Sequence, residues 1–494
     1  MDTYDVVIIG GGLGGLECGS VLSKEGYKVC VLEKNARTGG CFQSFYRNGR
    51  LLDTGIHYVG SLDEGKILHQ YFKYFGILNR LQLQRLDEEA FDVVCFPEEE
   101  YAYAMGHDRF VDGLSSQFPA ERENLKKYAA RLREVGELIG VEQLRQGKLS
   151  AGGLEYFSQS AWEQIGACTH NPKLRQVLAG TNLLYAGIPD KSAFYVHAMI
   201  NNSNLEGAYR FVGGSMQVTD ALTESIRQNG GEVWCGRKVT GLKAEGEKIY
   251  DIEVDGERWI RAKQVISAIH PRRTMELLQQ NHCIKKAYIS RINSLENSFG
   301  VFTAYLMLKK NALPYLNRNY HFYSSEEVWY RSEESAARTC LLTESPSPED
   351  GRYADVISLM TPVYIREFQR WTDTEPGKRG AEYEDYKARK TEELIELASR
   401  WMPGIKGNIE SVFSTTPLSF RDFTGTQDGS AYGIVKNCRS PLTTLIAPHT
   451  RIQNLWLTGQ NLNVHGALGV TLTAMLTCAE LLGTSYLARK IGSV

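Results

Sequence analysis

Gly10, Gly12 and Gly15 stand at G-x-G-x-x-G spacing directly behind the β-branched, apolar run Val6 to Ile9, and glycines so placed cradle phosphate. Gly10 permits a tight turn, Gly12 offers no Cβ to hold a pyrophosphate off the backbone, and Gly15 lets the next helix pack close on the strand. Leu13 and Gly14 lead into that helix, expected from Leu13 to Glu25, with its N-terminus turned to the phosphates. A second strand, Lys28 to Leu32, ends at Glu33, at the distance of about 20 residues where an acid accepts hydrogen bonds from adenosine ribose hydroxyls. An acid there also disfavours a 2′-phosphate. The stretch therefore reads as a dinucleotide-binding strand, turn, helix and strand.

The rest of the chain must position that ligand and whatever reacts with it. At 494 residues it exceeds one ordinary core, which implies two or three domains. With 42% hydrophobic and 23% charged residues the composition suits a globular protein. A net charge of −2, from 56 basic and 58 acidic residues, gives no electrostatic case for nucleic acid. Ten cysteines without a C-x-x-C pair suit reduced thiols better than disulfides or zinc, so no structural metal is expected. The first core strand begins too soon for a cleaved leader, which implies the cytoplasm, and 452–479 is too polar to span a bilayer. Peripheral contact with the inner face of a membrane stays open, as does the oligomeric state.

Beyond Glu33 and Lys34 comes Arg37-Thr38-Gly39-Gly40. An acid, a short loop and R-x-G-G resembles the FAD signature of the large flavoprotein oxidoreductase and amine oxidase superfamily, in which the second glycine pair runs under the FAD pyrophosphate. The resemblance implies an α/β fold: a Rossmann-like FAD-binding domain of the glutathione reductase or amine oxidase type with an inserted α+β substrate domain. The segment Arg50 to Gly60, RLLDTGIHYVG, is similar to the one that carries this superfamily into the flavin site. Its form, with Asp53, Thr54, Gly55 and Ile56 ahead of His57 and Tyr58, looks most like the branch of phytoene desaturases, carotenoid cis-trans isomerases and retinol saturases. By that resemblance His57 and Tyr58 lie near the ring. Tyr209 to Val239 resembles the superfamily's return to the cofactor domain, with the backbone of Val239 at the adenine. At the C-terminal end FRDFTGTQDGSAYGI and NLWLTGQNLNVHGALG resemble the same branch. There a strand ends in G-D and the acid holds the ribityl chain; here the place is Gly459-Gln460, so the acid is absent. The helix that follows, expected from Val470 with Gly469 before it, would point its N-terminus at the flavin and stabilise charge on the reduced form. His465, in the intervening loop, is the second histidine for proton transfer.

The periodicities imply a division into FAD-binding segments 1–86, 206–283 and 418–494 and substrate segments 87–205, largely helical, and 284–417. Leu86 to Glu100 has the mixture of an edge strand and its turn, and Tyr101 to Phe110 alternates as a strand does. An amphipathic helix is expected over 120–139 and a long charged one from Ala381 to Trp401. Aromatic-rich segments suit an apolar chamber, and an isoprenoid polyene has no charged handle. The chain thus resembles an FAD-dependent oxidoreductase acting on carbon-carbon bonds of a carotenoid, retinoid or similar lipid. A nicotinamide electron partner has no second nucleotide motif to support it. Two alternatives remain: an amine or amino-acid oxidase, which needs a carboxylate-binding Arg or an aromatic cage, and a flavin-free prenyl-binding escort, which needs an eroded glycine fingerprint.

Overall fold

The structure is a computed structural model that describes residues 2–137, 153–278, 284–330, 337–426 and 428–493. Two sheets organise it. In the first, β1 (Thr3–Ile9) lies between β2 (Val29–Glu33) and β12 (Arg258–Ser267), parallel to both, with Val6 opposite Val29 on one side and Gln264 on the other. β9 (Glu232–Cys235) extends it beside β2, and β18 (Leu455–Leu457) pairs with the end of β12, all in parallel. Antiparallel β10 (Val239–Glu245) and β11 (Lys248–Val254) complete it along the start of β12. Val6 to Ile8 are fully buried: Val6 and Ile8 pack with Leu16, Leu222 and Ala474 of the covering helices, and Val7 packs on the other face with Leu242, Ile252 and Ile292, so the strand needs no polar side. The helices Leu13–Lys24, Met216–Gln228 and Gly466–Leu482 pack together on one face.

The second sheet runs β17 (Ile409–Thr415), β13 (Gly300–Leu308), β16 (Ala354–Val363), β15 (Thr339–Pro346), β14 (Asn319–Tyr323), β6 (Asp92–Phe96), β7 (Glu99–Tyr103). Period two decides its use. Phe302, Ala304 and Leu306 pack with Tyr383 and Leu394 of the helix Ala381–Ser399, whereas Val301, Leu341 and Met360 turn to the opposite face. The hairpin β3 (Ser44–Arg47) and β4 (Arg50–Asp53) joins the sheets, since the Tyr305 hydroxyl donates to the Asp53 carbonyl at 2.8 Å. A short pair, β5 (Leu83–Arg85) with β8 (Tyr209–Phe211), closes the connection. The helix Phe194–Leu205, buried almost all round, completes the chamber wall.

Several expectations need correction. Tyr101 to Phe110 is not one strand: β7 ends at Tyr103, Gly106 takes φ +89°, and His107 begins a helix to Gln117. Within the largely helical segment 87–205, β6 and β7 form the edge of the second sheet. The amphipathic helix expected over 120–139 runs Arg122–Glu137; residues 138–139 and Gln427 lie outside the described residues. The C-terminal helix begins at Gly466, not Val470, because Gly469 is a packing glycine: a Cβ on it would lie 2.7 Å from the Val464 backbone. Among the described residues no helix is long and apolar enough to cross a membrane.

Candidate functional site

A single cleft of about 1330 Å³ runs from the glycine turn of the first sheet to the face of the second that bears Val301, Leu341 and Met360. It exceeds the roughly 300–1,000 Å³ of a pocket for one small ligand, so a dinucleotide and a second molecule both fit. Gly10, Gly12, Leu13 and Gly14 line one end with Glu33 and Lys34. Gly10 has φ +102°, which a side chain would resist. A Cβ on Gly12 would meet nothing within 4 Å, so that position opens into the cleft. Gly15 does not line it: its Cβ would stand 2.1 Å from the Gly10 carbonyl oxygen, and its absence lets helix and strand touch.

The second glycine pair closes on the first. Gly39 donates its N–H to the Gly11 carbonyl at 2.7 Å, and a Cβ on Gly40 would stand 3.4 Å from the Gly12 Cα. Both glycines line the cleft, as does Val239. Arg37 is exposed and lies away from it. Asp53 and Thr54 are also outside the lining. Asp53 Oδ1 accepts the Ser44 hydroxyl at 2.6 Å and both the N–H and the hydroxyl of Ser215 at 2.8 Å. It fastens the β3–β4 hairpin to the helix that starts at Met216. Gly55, Ile56, His57 and Tyr58 then enter the lining.

Opposite them, Gly459, Gln460, His465, Gly469 and Val470 form the wall from the C-terminal segment. A Cβ on Gly14 would be 3.2 Å from the Gly459 Cα, so the two segments meet with no side chain between them. The N-termini of the helices Leu13–Lys24 and Gly466–Leu482 therefore open on the same cleft, where their free N–H groups favour negative charge. The residues fit a flavin dinucleotide: an open glycine cradle, an acid beside the glycine turn, two helix N-termini and sufficient volume.

Burial pushes the His57 imidazole down to about 3, with Arg210 adding to it, and His465 down to about 4. Both are uncharged near neutral pH. His57 Nε2 has no hydrogen-bond partner among the described residues. His465 Nε2 lies 3.0 Å from the Leu184 carbonyl, so it donates there and leaves Nδ1 as acceptor. It does not cap the helix with its side chain. The Tyr58 hydroxyl donates to Asp92 Oδ2 at 2.9 Å.

Residues that sequence reasoning missed complete the site. The Tyr432 ring packs 4.6 Å from His465, and the G-S-x-Y-G pattern was its available signal. Buried Lys436 donates Nζ to the carbonyls of Asn461 at 2.7 Å, Leu462 at 3.0 Å and Thr444 at 3.1 Å, and the Tyr195 hydroxyl donates to Asn463 at 2.8 Å. These brace the loop that carries Gln460 and His465, and no sequence motif announces them.

Comparison with known proteins matches residues 13–343 to the family of flavin containing amine oxidoreductases. All-trans-retinol 13,14-reductase of Danio rerio is 28% identical over 524 residues, covering 97% of this chain and 86% of that protein. The 4,4′-diapophytoene desaturase of Methylomonas sp is 25% identical over 319 residues, 63% of this chain and 62% of its own. Among solved structures, an oxidoreductase from Methanosarcina mazei superposes with a TM-score of 0.65 at 18% identity, covering 96% of this chain and 99% of that one, which bears on the fold alone.

Proposed function

The chain belongs to the flavin-containing amine oxidoreductase family, and from that premise we propose that this FAD-dependent oxidoreductase acts on carbon-carbon bonds of an apolar polyene or isoprenoid lipid. One observation carries the substrate class: the wall facing the cofactor cradle is built from Leu184, Met199, Ile200, Val301, Leu341 and Met360. A polyene buries there without stranding a polar group, whereas an ammonium would find no carboxylate among these six side chains. The similarity to a retinol reductase and a diapophytoene desaturase supports the same choice.

FAD, when bound, supplies hydride transfer at the flavin N5. The chain's own residues do the rest. Gly10, Gly12, Leu13, Gly14, Gly39 and Gly40 would hold the pyrophosphate, Glu33 the ribose, Val239 the adenine, and Gln460 would serve the ribityl chain in place of an acid. The N-terminus of the helix Leu13–Lys24 would favour the charge of the pyrophosphate, and that of the helix Gly466–Leu482 negative charge at the ring, by on the order of 0.5–2 kcal/mol. The apolar wall excludes water. His57, Tyr58 and His465 are the groups at the ring end for proton chemistry. The cofactor segments 1–86, 206–283 and 418–494 frame this cleft from one side, and 87–205 with 284–417 from the other.

Anaerobic mixing of the FAD-loaded protein with all-trans-retinol, a diapophytoene and putrescine tests the reading. A polyene should bleach the oxidised flavin or recolour the dithionite-reduced one, and putrescine should do neither. Bleaching by putrescine with release of hydrogen peroxide, the polyenes being inert, would overturn it in favour of an amine oxidase. A colourless protein that takes up no FAD and binds prenylated peptide would favour the escort reading. Reoxidation by quinone, oxygen or a nicotinamide names the electron partner.

A further inference from the structure

Behind the cleft wall, Tyr58 leads into buried polar side chains that neither the dinucleotide nor the apolar wall requires. Asp92 Oδ2 accepts the Tyr58 hydroxyl at 2.9 Å and Asp92 Oδ1 accepts Asn319 Nδ2 at 3.0 Å. Asn319 Oδ1 accepts Arg210 Nη2 at 2.7 Å, while Arg210 Nη1 donates to the Glu344 carbonyl. The sheet sets this up, since Asp92 and Asn319 are partners in the parallel β6–β14 pair. Asp92 and Asn319 are fully buried and Arg210 is 4% exposed. His321 Nε2 stands 3.6 Å from Asp92 Oδ2 and makes no hydrogen bond among the described residues. Tyr103, opposite Asp92 on β7, turns its hydroxyl to the Val177 carbonyl. The titratable and charged groups facing Asp92 are thus Tyr58, Tyr103 and His321, with Arg210 and Glu344 one step further.

A buried carboxylate is costly unless hydrogen bonds or an opposite charge satisfy it, and a guanidinium, that of Arg210, is near. Here Asn319 stands between them, and one carboxylate oxygen is left to a phenol that faces the cleft. A phenol in that position can take a proton on its oxygen while its own proton leaves to the carboxylate, so no phenolate forms. His57 and His465 offer no resting place for a proton near neutral pH, because burial holds both well below it.

We propose that Asp92, reached through the Tyr58 hydroxyl, holds the proton that accompanies hydride transfer, an inference that rests on the cleft holding FAD and a polyene. In the dehydrogenating direction one substrate carbon gives its hydrogen with both electrons to the flavin. The neighbouring carbon gives a proton to the Tyr58 oxygen, the Tyr58 proton passes to Asp92 Oδ2, and the electron pair left on carbon becomes the new C=C bond. Saturation runs the same transfers backwards. Asp92 acts through Tyr58 and does not itself touch substrate.

Redox titration of the FAD-loaded protein at a series of pH values reads this without substrate. Each proton taken up with two electrons moves the potential by about 30 mV per pH unit. Wild type is expected to take up one proton on the flavin and one on Asp92, so its slope is twice that of Asp92→Asn; Glu344→Gln and His321→Gln keep the full slope. Infrared difference spectra, reduced minus oxidised, should show the carbonyl band of a protonated carboxylic acid in wild type. The band should vanish in Asp92→Asn, shift in Tyr58→Phe and persist in Glu344→Gln. Should Asp92→Asn fail to hold FAD, ¹³C-labelling of aspartate carboxyls in wild type decides: the band must move with that label. Equal slopes in wild type and Asp92→Asn, a band that follows glutamate, or a band indifferent to Tyr58→Phe overturns the inference. A protein with the slope and band that converts no polyene overturns the substrate reading alone, and one that takes up no FAD overturns both.

Discussion

Glu33 Oε2 accepts the N–H of Gly11 at 2.8 Å, so the acid ending the second strand holds the glycine turn that follows the first. Its other oxygen accepts the Asn35 N–H at 2.8 Å. The remaining lone pairs of both oxygens are free for ribose hydroxyls. Glu33→Ala therefore removes a ligand contact and a brace of the phosphate turn together. FAD occupancy after purification should fall at least tenfold, the equivalent of about 1.4 kcal/mol, with Glu33→Gln losing less. Unchanged flavin absorbance per mole of protein in Glu33→Ala would show that the adenosine lies elsewhere.

Gly12 and Gly15 separate binding from folding. Position 12 faces open cleft, with an ordinary φ of −75°, so Gly12→Asp should fold with an apo melting temperature close to wild type and bind almost no FAD, because its carboxylate meets the pyrophosphate. At position 15 the added methyl of Gly15→Ala collides with the Gly10 carbonyl. Backbone must shift, and a loss of about 3 kcal/mol or more is expected. Thermal melts of the apo forms distinguish the two, and equal melting temperatures would contradict the packing described.

The cofactor half was legible because its signals are local. A strand, three glycines and an acid lie within one βαβ unit, and each residue's role follows from spacing. Glycine misled at Gly469, which reads as a loop residue and serves as a helix contact. The polar group behind Tyr58 was out of reach: Asp92 and Asn319 are brought together by a parallel pairing across more than two hundred residues, Arg210 reaches Asn319 from β8, and no periodicity encodes which strands become neighbours. Lys436 was hidden in the same way, since a lysine between Val435 and Asn437 looks like a surface residue until three carbonyls are seen around it.

Three buried histidines should make the fold acid-labile. Burial pushes His57 and His197 down to about 3 and His465 to about 4, from an ordinary 6.5. Below pH 6.5 the unfolded chain binds protons that the folded one refuses. Stability is therefore fully present above about 6.5 and falls as pH drops towards 4, by on the order of 2 kcal/mol per histidine at pH 5. The apo melting temperature should drop markedly from pH 7.5 to 5. His197→Gln, placed to keep contact with the Tyr128 hydroxyl, should drop less over the same interval. A melting temperature independent of pH in wild type would mean that water or relaxation lets these imidazoles charge in place.

Lys436 connects stability to the cofactor site. Its three donors meet three carbonyls, two of them in the loop between Gly459 and His465. Lys436→Met keeps the length and apolar stem but leaves those oxygens without donors in a buried place. Each orphaned carbonyl costs about 1–3 kcal/mol before relaxation. The loop can recover part of that only by moving, and movement displaces Gln460 and the imidazole of His465. A loss of about 3–5 kcal/mol in the apo protein is expected, together with weaker FAD binding in whatever fraction folds. Lys436→Arg should not rescue it, because a planar fork cannot point donors at three oxygens disposed around a tetrahedral ammonium. Calorimetry of the apo protein and flavin titration separate the two effects. A Lys436→Met protein that melts lower yet binds FAD as wild type does would confine the lysine to folding and remove the loop's placement from the cofactor's affinity.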